Sequence, residues 1–350
     1  MTILYVLLAI ALLGVLITAH EYGHFLAARL CGIAVKEYSI GFGPKLLQWK
    51  SRKHETLFTL RPIPMGGYCM FYGDETDPGG ADDPRAFDRA AVWKRMLTVF
   101  SGPLFNFLLA FVVAVGLMAG YGFTVSQPYV DTVEAGMPAQ AAGLQPGDVL
   151  TAVNGQALNV GDAAALSDAI AQLNPGDSLL LTVQRDGTPL QIELTPAYDA
   201  AEGRYRIGIG IRAYAPLTAG QVLPAAWNSC VYASTVILDS LGKLVTTGEG
   251  FNDTAGPVGM VQMVAEQTRQ GGLEIFLNLM VIISINLGLM NLLPIPGLDG
   301  SRLVFMAIEA VRRKPISRRV ENAVHLTGYA LLLGLMMVFT FKDVGRIFGA

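Results

Sequence analysis

The segment His20-Glu21-Tyr22-Gly23-His24 carries the most definite chemistry in this sequence. On a helix, histidines four residues apart project from one face, one turn apart, and can share a Zn²⁺ ion. The carboxylate of Glu21 then lies close enough to take a proton from water at such a metal. The competing reading is a chance match, with both imidazoles packed in a bundle core. Three ionisable groups at the end of an apolar stretch are costly there, and function is the usual reason for keeping them. A hydrolytic zinc site takes three protein ligands and leaves one position open. A third His, Asp or Glu is therefore required from a second element. Asp299, in NLLPIPGLDG, fits best among the apolar stretches and their ends. Pro294 and Pro296 remove backbone donors and break a helix just before it. Irregular backbone at membrane depth is tolerated where it lines a cavity. Asp299 could instead cap the helix GSRLVFMAIEAV.

The elements that must position these residues are membrane spans. The 350 residues are 52% hydrophobic and only 15% charged, with mean hydropathy +0.44, too apolar for an ordinary soluble chain. Four stretches reach the roughly 20 apolar residues a bilayer requires: Thr2 to Leu30, Met96 to Tyr121, Ile275 to Gly297 and Val324 to Phe341. The first has no positive charge before Arg29, so it reads as a retained span and not a cleaved leader. The third is unusual in carrying Asn278, Asn286 and Asn291 before its two prolines. Lysines and arginines crowd the segments between spans one and two and between spans three and four. The positive-inside rule puts both on the cytoplasmic side, and the long central segment and both termini outside. His24 and Asp299 then lie at the same depth, at the cytoplasmic ends of spans one and three. Trp93, Lys94 and Arg95 read as an interfacial anchor.

The central segment has short alternating strands, a hairpin signal at Asp186-Gly187 and turns at Asn154-Gly155 and Gln145-Pro-Gly-Asp. Its run EAGMPAQAAGLQPGDVLTAVNGQAL resembles the PDZ signature, which implies an extended peptide or a C-terminal carboxylate as ligand. A spacer that binds nothing is the alternative. The apolar but interrupted run LTAGQVLPAAWNSCVYASTVILDSLGKLV is expected to lie at the membrane surface. Cys31, Cys69 and Cys230 form no CxxC pair, so neither a disulfide framework nor a cysteine metal knuckle is indicated. The net charge of −3, with no basic patch interleaved with aromatics, points to no nucleic-acid partner.

HEYGH, NLLPIPGLDG, SGPLFN, KEYSIGFGPKLLQWK and TLRPIPMGGYCMFYGDE together resemble the site-two protease family of intramembrane zinc metalloproteases, in its bacterial regulator-of-sigma-E protease branch. The likeness covers nearly the whole chain. It implies a polytopic α-helical membrane protein with four transmembrane helices, a membrane-reentrant β-loop and an inserted PDZ-like α+β domain, in the bacterial inner membrane. It implies Zn²⁺ held by His20, His24 and Asp299, with Glu21 as general base. Asn291 and Asn286 would contact substrate or the developing oxyanion; interhelical hydrogen bonds are the other use of such amides. Substrates would be single-span proteins, such as membrane-anchored anti-sigma factors, or signal-peptide remnants. The expected units are 1–123 (first membrane half), 124–213 (PDZ-like), 214–274 (connector) and 275–350 (second membrane half). The other classes to separate are a membrane zinc transporter or sensor and an inactive PDZ scaffold.

Overall fold

The computed structural model describes residues 2–51, 55–74, 82–158, 176–199, 204–215, 217–248 and 256–348, together with 166, 169–170 and 173. Arg52 and Lys53 of the first basic segment, and Glu75, lie outside the described residues. The chain forms two compact units, Met1–Leu117 with Ala226–Ala350, and Met118–Ala225.

The first unit opens with α1 (Thr2–Cys31), 30 residues or about 45 Å of helix. It stops because Gly32 takes φ +77°, and the Ile33 N–H turns back to the Ala28 carbonyl at 2.8 Å, a Schellman cap. Four strands follow, β1 (Val35–Phe42), β2 (Leu47–Lys50), β3 (Leu57–Leu60) and β4 (Ile63–Phe71), in the order β2-β3-β1-β4. β1 and β4 pair antiparallel, and β4 is an edge strand. Then comes α2 (Val92–Tyr121).

The second unit holds β5 (Phe123–Val133), the short helix α3 (Pro138–Ala141), β6 (Val149–Val153), β7 (Gln156–Ala157), β8 (Leu179–Arg185), β9 (Thr188–Leu194), β10 (Ala197–Asp199), β11 (Arg204–Arg206) and β12 (Ile209–Ala215). Its main sheet runs β12-β5-β6-β8-β9 over a core that includes Val130, Leu150, Leu179, Leu181 and Val183. Both predicted two-residue turns are present: Asn154-Gly155 and Asp186-Gly187 have positive φ throughout, as a type I′ hairpin requires.

The chain then returns through α4 (Ala219–Thr247), α5 (Pro257–Leu292), α6 (Asp299–Arg312) and α7 (Arg318–Phe348). Among the described residues, four helices are long and apolar enough to cross a membrane, within α1, α2, α5 and α7. Their outer faces leave large apolar side chains bare, such as Leu7, Val112, Leu331 and Met337, which a lipid environment accounts for. The protein is thus polytopic and helical with an inserted α+β domain, as read from the sequence.

Three local features differ from expectation. A break at Gly272 (φ +65°, ψ −151°) lies just before the expected start at Ile275, and a further helical segment runs back from it to Pro257. Glu266, Arg269 and Glu274 hid this extension from hydropathy. The same helix stops at Leu292, five residues short of Gly297, because Leu293 is already extended ahead of the prolines (φ −65°, ψ +145°). Arg95 is not an interfacial anchor: its guanidinium bonds Glu309 on α6 and the Ala90 carbonyl. Lys94 donates to the Cys31 carbonyl at 3.0 Å, satisfying a free acceptor at the end of α1. Trp93 alone keeps the expected exposed position.

In the second unit, Arg185 clamps Asp148 through Nε–Oδ1 at 2.7 Å and a second guanidinium bond to Oδ2 at 2.8 Å. The Gln145 N–H adds a third bond at 2.9 Å. Burial works to raise the Asp148 pKa, but these donors outweigh it and hold it below the usual carboxylate value. A depressed folded-state pKa contributes stability above the unfolded value, near 3.9, and that contribution disappears as pH falls through the folded value. Acidification below about pH 4 is therefore expected to loosen this unit selectively, and Asp148→Asn to remove that dependence. Hydrogen exchange of 145–194 in the intact chain, measured from pH 3 to 7, checks it. Equal acid sensitivity in the variant would contradict it.

Candidate metal centre

His20 and His24 lie on the part of α1 that meets α2, about 16 and 10 Å from its C-terminal end at Cys31 by the helical rise. Both are buried, with ring centroids 4.8 Å apart and planes near perpendicular. Their Nε2 atoms are 3.2 Å apart. Asp299 Oδ2 is 3.0 Å from His20 Nε2 and 3.3 Å from His24 Nε2. Asp299 does not act as a cap. Leu298 occupies the N-cap position, with no side-chain cap bond, and Asp299 opens the helix one residue later. Its carboxylate is turned toward the imidazoles.

What presents Asp299 is the break before it. Gly328 on α7 lies so close to that loop that a Cβ would sit 2.1 Å from the Pro296 carbonyl oxygen. The Gly297 N–H donates to His325 Nδ1 at 3.3 Å. The other end of α7 fixes the start of α5: the buried Asp343 carboxylate accepts from the N–H groups of Gly256 (3.2 Å) and Gly259 (2.7 Å). α7 thereby holds the start of α5 and the break that precedes Asp299.

The three atoms fit a zinc ion. Tetrahedral ligands at about 2.0–2.1 Å from a metal stand roughly 3.3 Å from one another, close to the separations found. Asp299 Oδ2 is fully buried, yet neither imidazole gives it a well-directed hydrogen bond, so the lone pairs converge on a common point. Gly102 of α2 forms the floor: a Cβ there would lie 2.3 Å from His24 Nε2 and 2.9 Å from His20 Nε2. Beyond the ligand atoms, His24 Nδ1 donates to the Thr98 carbonyl at 2.9 Å, and His20 Nδ1 meets the side-chain amide of Asn106 at 3.1 Å.

A cavity of about 520 Å³ opens over this cluster. Glu21, Asn291 and Tyr329 line it, and β4 contributes one wall from Gly67 to Phe71. The Cys69 backbone N–H bonds the Glu21 carboxylate. Gly67 permits that close approach, since a Cβ would come within 3.2 Å of Glu21 Cγ. Asn291 lines the cavity while its Nδ2 donates to the Leu287 carbonyl one turn back, at 3.0 Å. Asn286 is half-buried on α5 and is not among the cavity's lining residues. Sequence reasoning did not single out Gly102, Asn106 or Gly67. All three lie in motifs that carry the family resemblance, Gly102 and Asn106 in SGPLFN and Gly67 in TLRPIPMGGYCMFYGDE, but the motifs by themselves give them no role.

The sequence profile of Peptidase family M50 matches residues 8–335. The chain belongs to this family. Regulator of sigma-W protease RasP of Bacillus subtilis is 30% identical, covering 97% of this chain and 98% of its own. A Brucella suis protein provisionally named a zinc metalloprotease is 34% identical over 95% of this chain and 93% of that one. Among solved structures, the PDZ domain of an SdrC-like protein from Listeria monocytogenes covers 25% of this chain and 90% of its own, at 27% identity and TM-score 0.23. Membership in M50 and the His/His/Asp cluster together make this protein a zinc-dependent metalloendopeptidase of membranes, acting in regulated intramembrane proteolysis.

Proposed function

We propose that His20, His24 and Asp299 hold the catalytic zinc, that Glu21 is the general base, and that the substrate is a single-span membrane protein presented to the site as an extended strand. The observation that carries this is the convergence of three buried ligand atoms from α1 and α6, with separations of 3.0–3.3 Å, beside the Glu21 carboxylate. The chemistry that zinc supplies there is Lewis acidity toward water and toward a peptide carbonyl.

The remaining steps belong to the chain's own residues. A helical substrate hides its amides, so the scissile segment has to unwind. β4 offers unpaired backbone groups along the cavity wall, and an extended segment adds to that edge as a further strand. Glu21 takes a proton from the attacking water as its oxygen bonds the scissile carbon. The C–N bond then breaks, and Glu21 delivers that proton to the departing amine nitrogen. Asn291, with one amide hydrogen committed to Leu287, has a second for the carbonyl oxygen as charge develops on it. Asn286 supports the same region of α5.

The basic segments set the orientation: the site lies on the cytoplasmic side of the bacterial inner membrane and the inserted domain outside. The β-sheet enters the bilayer as a reentrant loop, a reading supported by the exposed side chains of Phe42, Leu47 and Trp49. The PDZ-like domain takes a peptide or C terminus, and α4 rests at the membrane surface. The name of the RasP relative, a regulator of sigma-W protease, supports a place in sigma-factor regulation, for which a membrane-anchored anti-sigma factor would be a single-span substrate. Signal-peptide remnants share the same single-span chemistry.

The test is reconstitution in proteoliposomes with a single-span substrate. Stripping metal with a zinc chelator should abolish cleavage, and added Zn²⁺ should restore it where Mg²⁺ does not. Undiminished cleavage by metal-free protein would overturn the proposal, as would zinc flux across the bilayer without cleavage.

A further inference from the structure

Neither nitrogen of His24 is ambiguous. A backbone carbonyl only accepts, so the contact with the Thr98 oxygen fixes the proton on Nδ1 and leaves the Nε2 lone pair for the metal. His20 faces a different partner. Its Nδ1 lies 3.1 Å from the terminal amide of Asn106, and that amide can either donate or accept. Asn106 is completely buried. With its nitrogen toward His20, its oxygen has no hydrogen-bond partner among the described residues, so no second contact among them holds the amide that way round. Its backbone is fixed independently, because Ser284 of α5 donates to the Asn106 carbonyl at 2.7 Å.

If Asn106 donated to Nδ1, the proton of neutral His20 would sit on Nε2, pointing into the cluster. That tautomer cannot ligate through Nε2. A half-turn of the terminal torsion exchanges the amide oxygen and nitrogen at almost no cost in shape. The oxygen then accepts from Nδ1–H, and His20 matches His24.

We infer that Asn106 is the positioning residue for His20: its side-chain oxygen accepts the Nδ1 proton, selects the tautomer whose Nε2 binds metal, and holds the ring plane toward Asp299. Hydrogen bonds of this kind around ligating histidines typically govern about 10–100-fold in metal affinity. The inference rests on the zinc site proposed above.

The experiment measures zinc affinity of the purified full chain by competition with a chromophoric chelator, with no substrate present. Asn106→Leu should weaken zinc about 10–100-fold. Asn106→Asp keeps the shape and has only acceptor oxygens when ionised, so it should bind zinc at least as tightly as the parent. A donor role predicts the reverse, and an Asp variant as weak as the Leu variant would overturn the inference. So would a Leu variant of undiminished affinity. Should the Leu variant fail to fold, the Asp variant decides alone, since loss of zinc there contradicts an acceptor role. Failure of the parent chain to bind zinc would refute the underlying site instead, so the two failures are distinguishable.

Discussion

Glu21→Gln is expected to eliminate peptide-bond cleavage while one zinc ion per chain stays bound. Glutamine matches glutamate in size and can accept the Cys69 N–H that the carboxylate accepts. It cannot take up a proton. The positioned base is worth about 10²–10⁴-fold in rate, or roughly 3–5 kcal/mol of barrier. The residues that hold the metal are untouched. Zinc content by mass spectrometry, measured beside cleavage of a membrane substrate in the same preparation, checks both halves. Turnover within tenfold of the parent would show that Glu21 is not the base. Loss of zinc with activity would make Glu21 part of the metal site.

Gly102→Ala should empty the site although the added group is one methyl. Its Cβ would lie 2.3 Å from His24 Nε2 and 2.9 Å from His20 Nε2, inside contact distance of both. The His24 ring has little room to retreat, because its Nδ1 is tied to Thr98. A loss in zinc affinity of at least about 10²-fold is expected, beyond what loss of an outer hydrogen bond brings. Helix stability should move the other way, since alanine is favoured over glycine in helices by about 1 kcal/mol. Zinc titration and thermal unfolding of the metal-free protein separate the two effects. Parent-like zinc affinity would show that α2 does not floor the site.

The two halves of the centre were legible in the sequence for different reasons. HEYGH announces itself through helical spacing alone. Asp299 was reached through the Pro294–Pro296 break and the requirement for a third ligand, and the structure sets its carboxylate 3.0 Å from His20. The turns at Asn154-Gly155 and Asp186-Gly187 were readable because only a few residue types adopt positive φ cheaply. Other features stayed hidden because they depend on which faces meet. Gly102 has no side chain to mark it, and an apolar span does not say which side turns toward α1. The helical segment from Pro257 to the break at Gly272 is not marked by hydropathy, because it carries Glu266 and Arg269. Arg95 read as a membrane anchor because its partner, Glu309, is more than two hundred positions away in sequence. The proposed roles of the β-loop and of the inserted domain came from resemblance, the first to the protease family and the second to the PDZ signature, and periodicity does not reach either.

One zinc ion held by two imidazoles of α1 and the carboxylate that opens α6 is the arrangement on which the proposed chemistry depends. X-ray absorption at the zinc edge of the purified, active, full-length protein tests it most directly. The account predicts a first shell of nitrogen and oxygen at about 2.0–2.1 Å with outer-shell scattering from two imidazoles, and loss of that spectrum in His20→Ala and Asp299→Ala. A sulfur shell near 2.3 Å, which would bring in Cys31, Cys69 or Cys230, would contradict it, as would full activity in protein that contains no zinc.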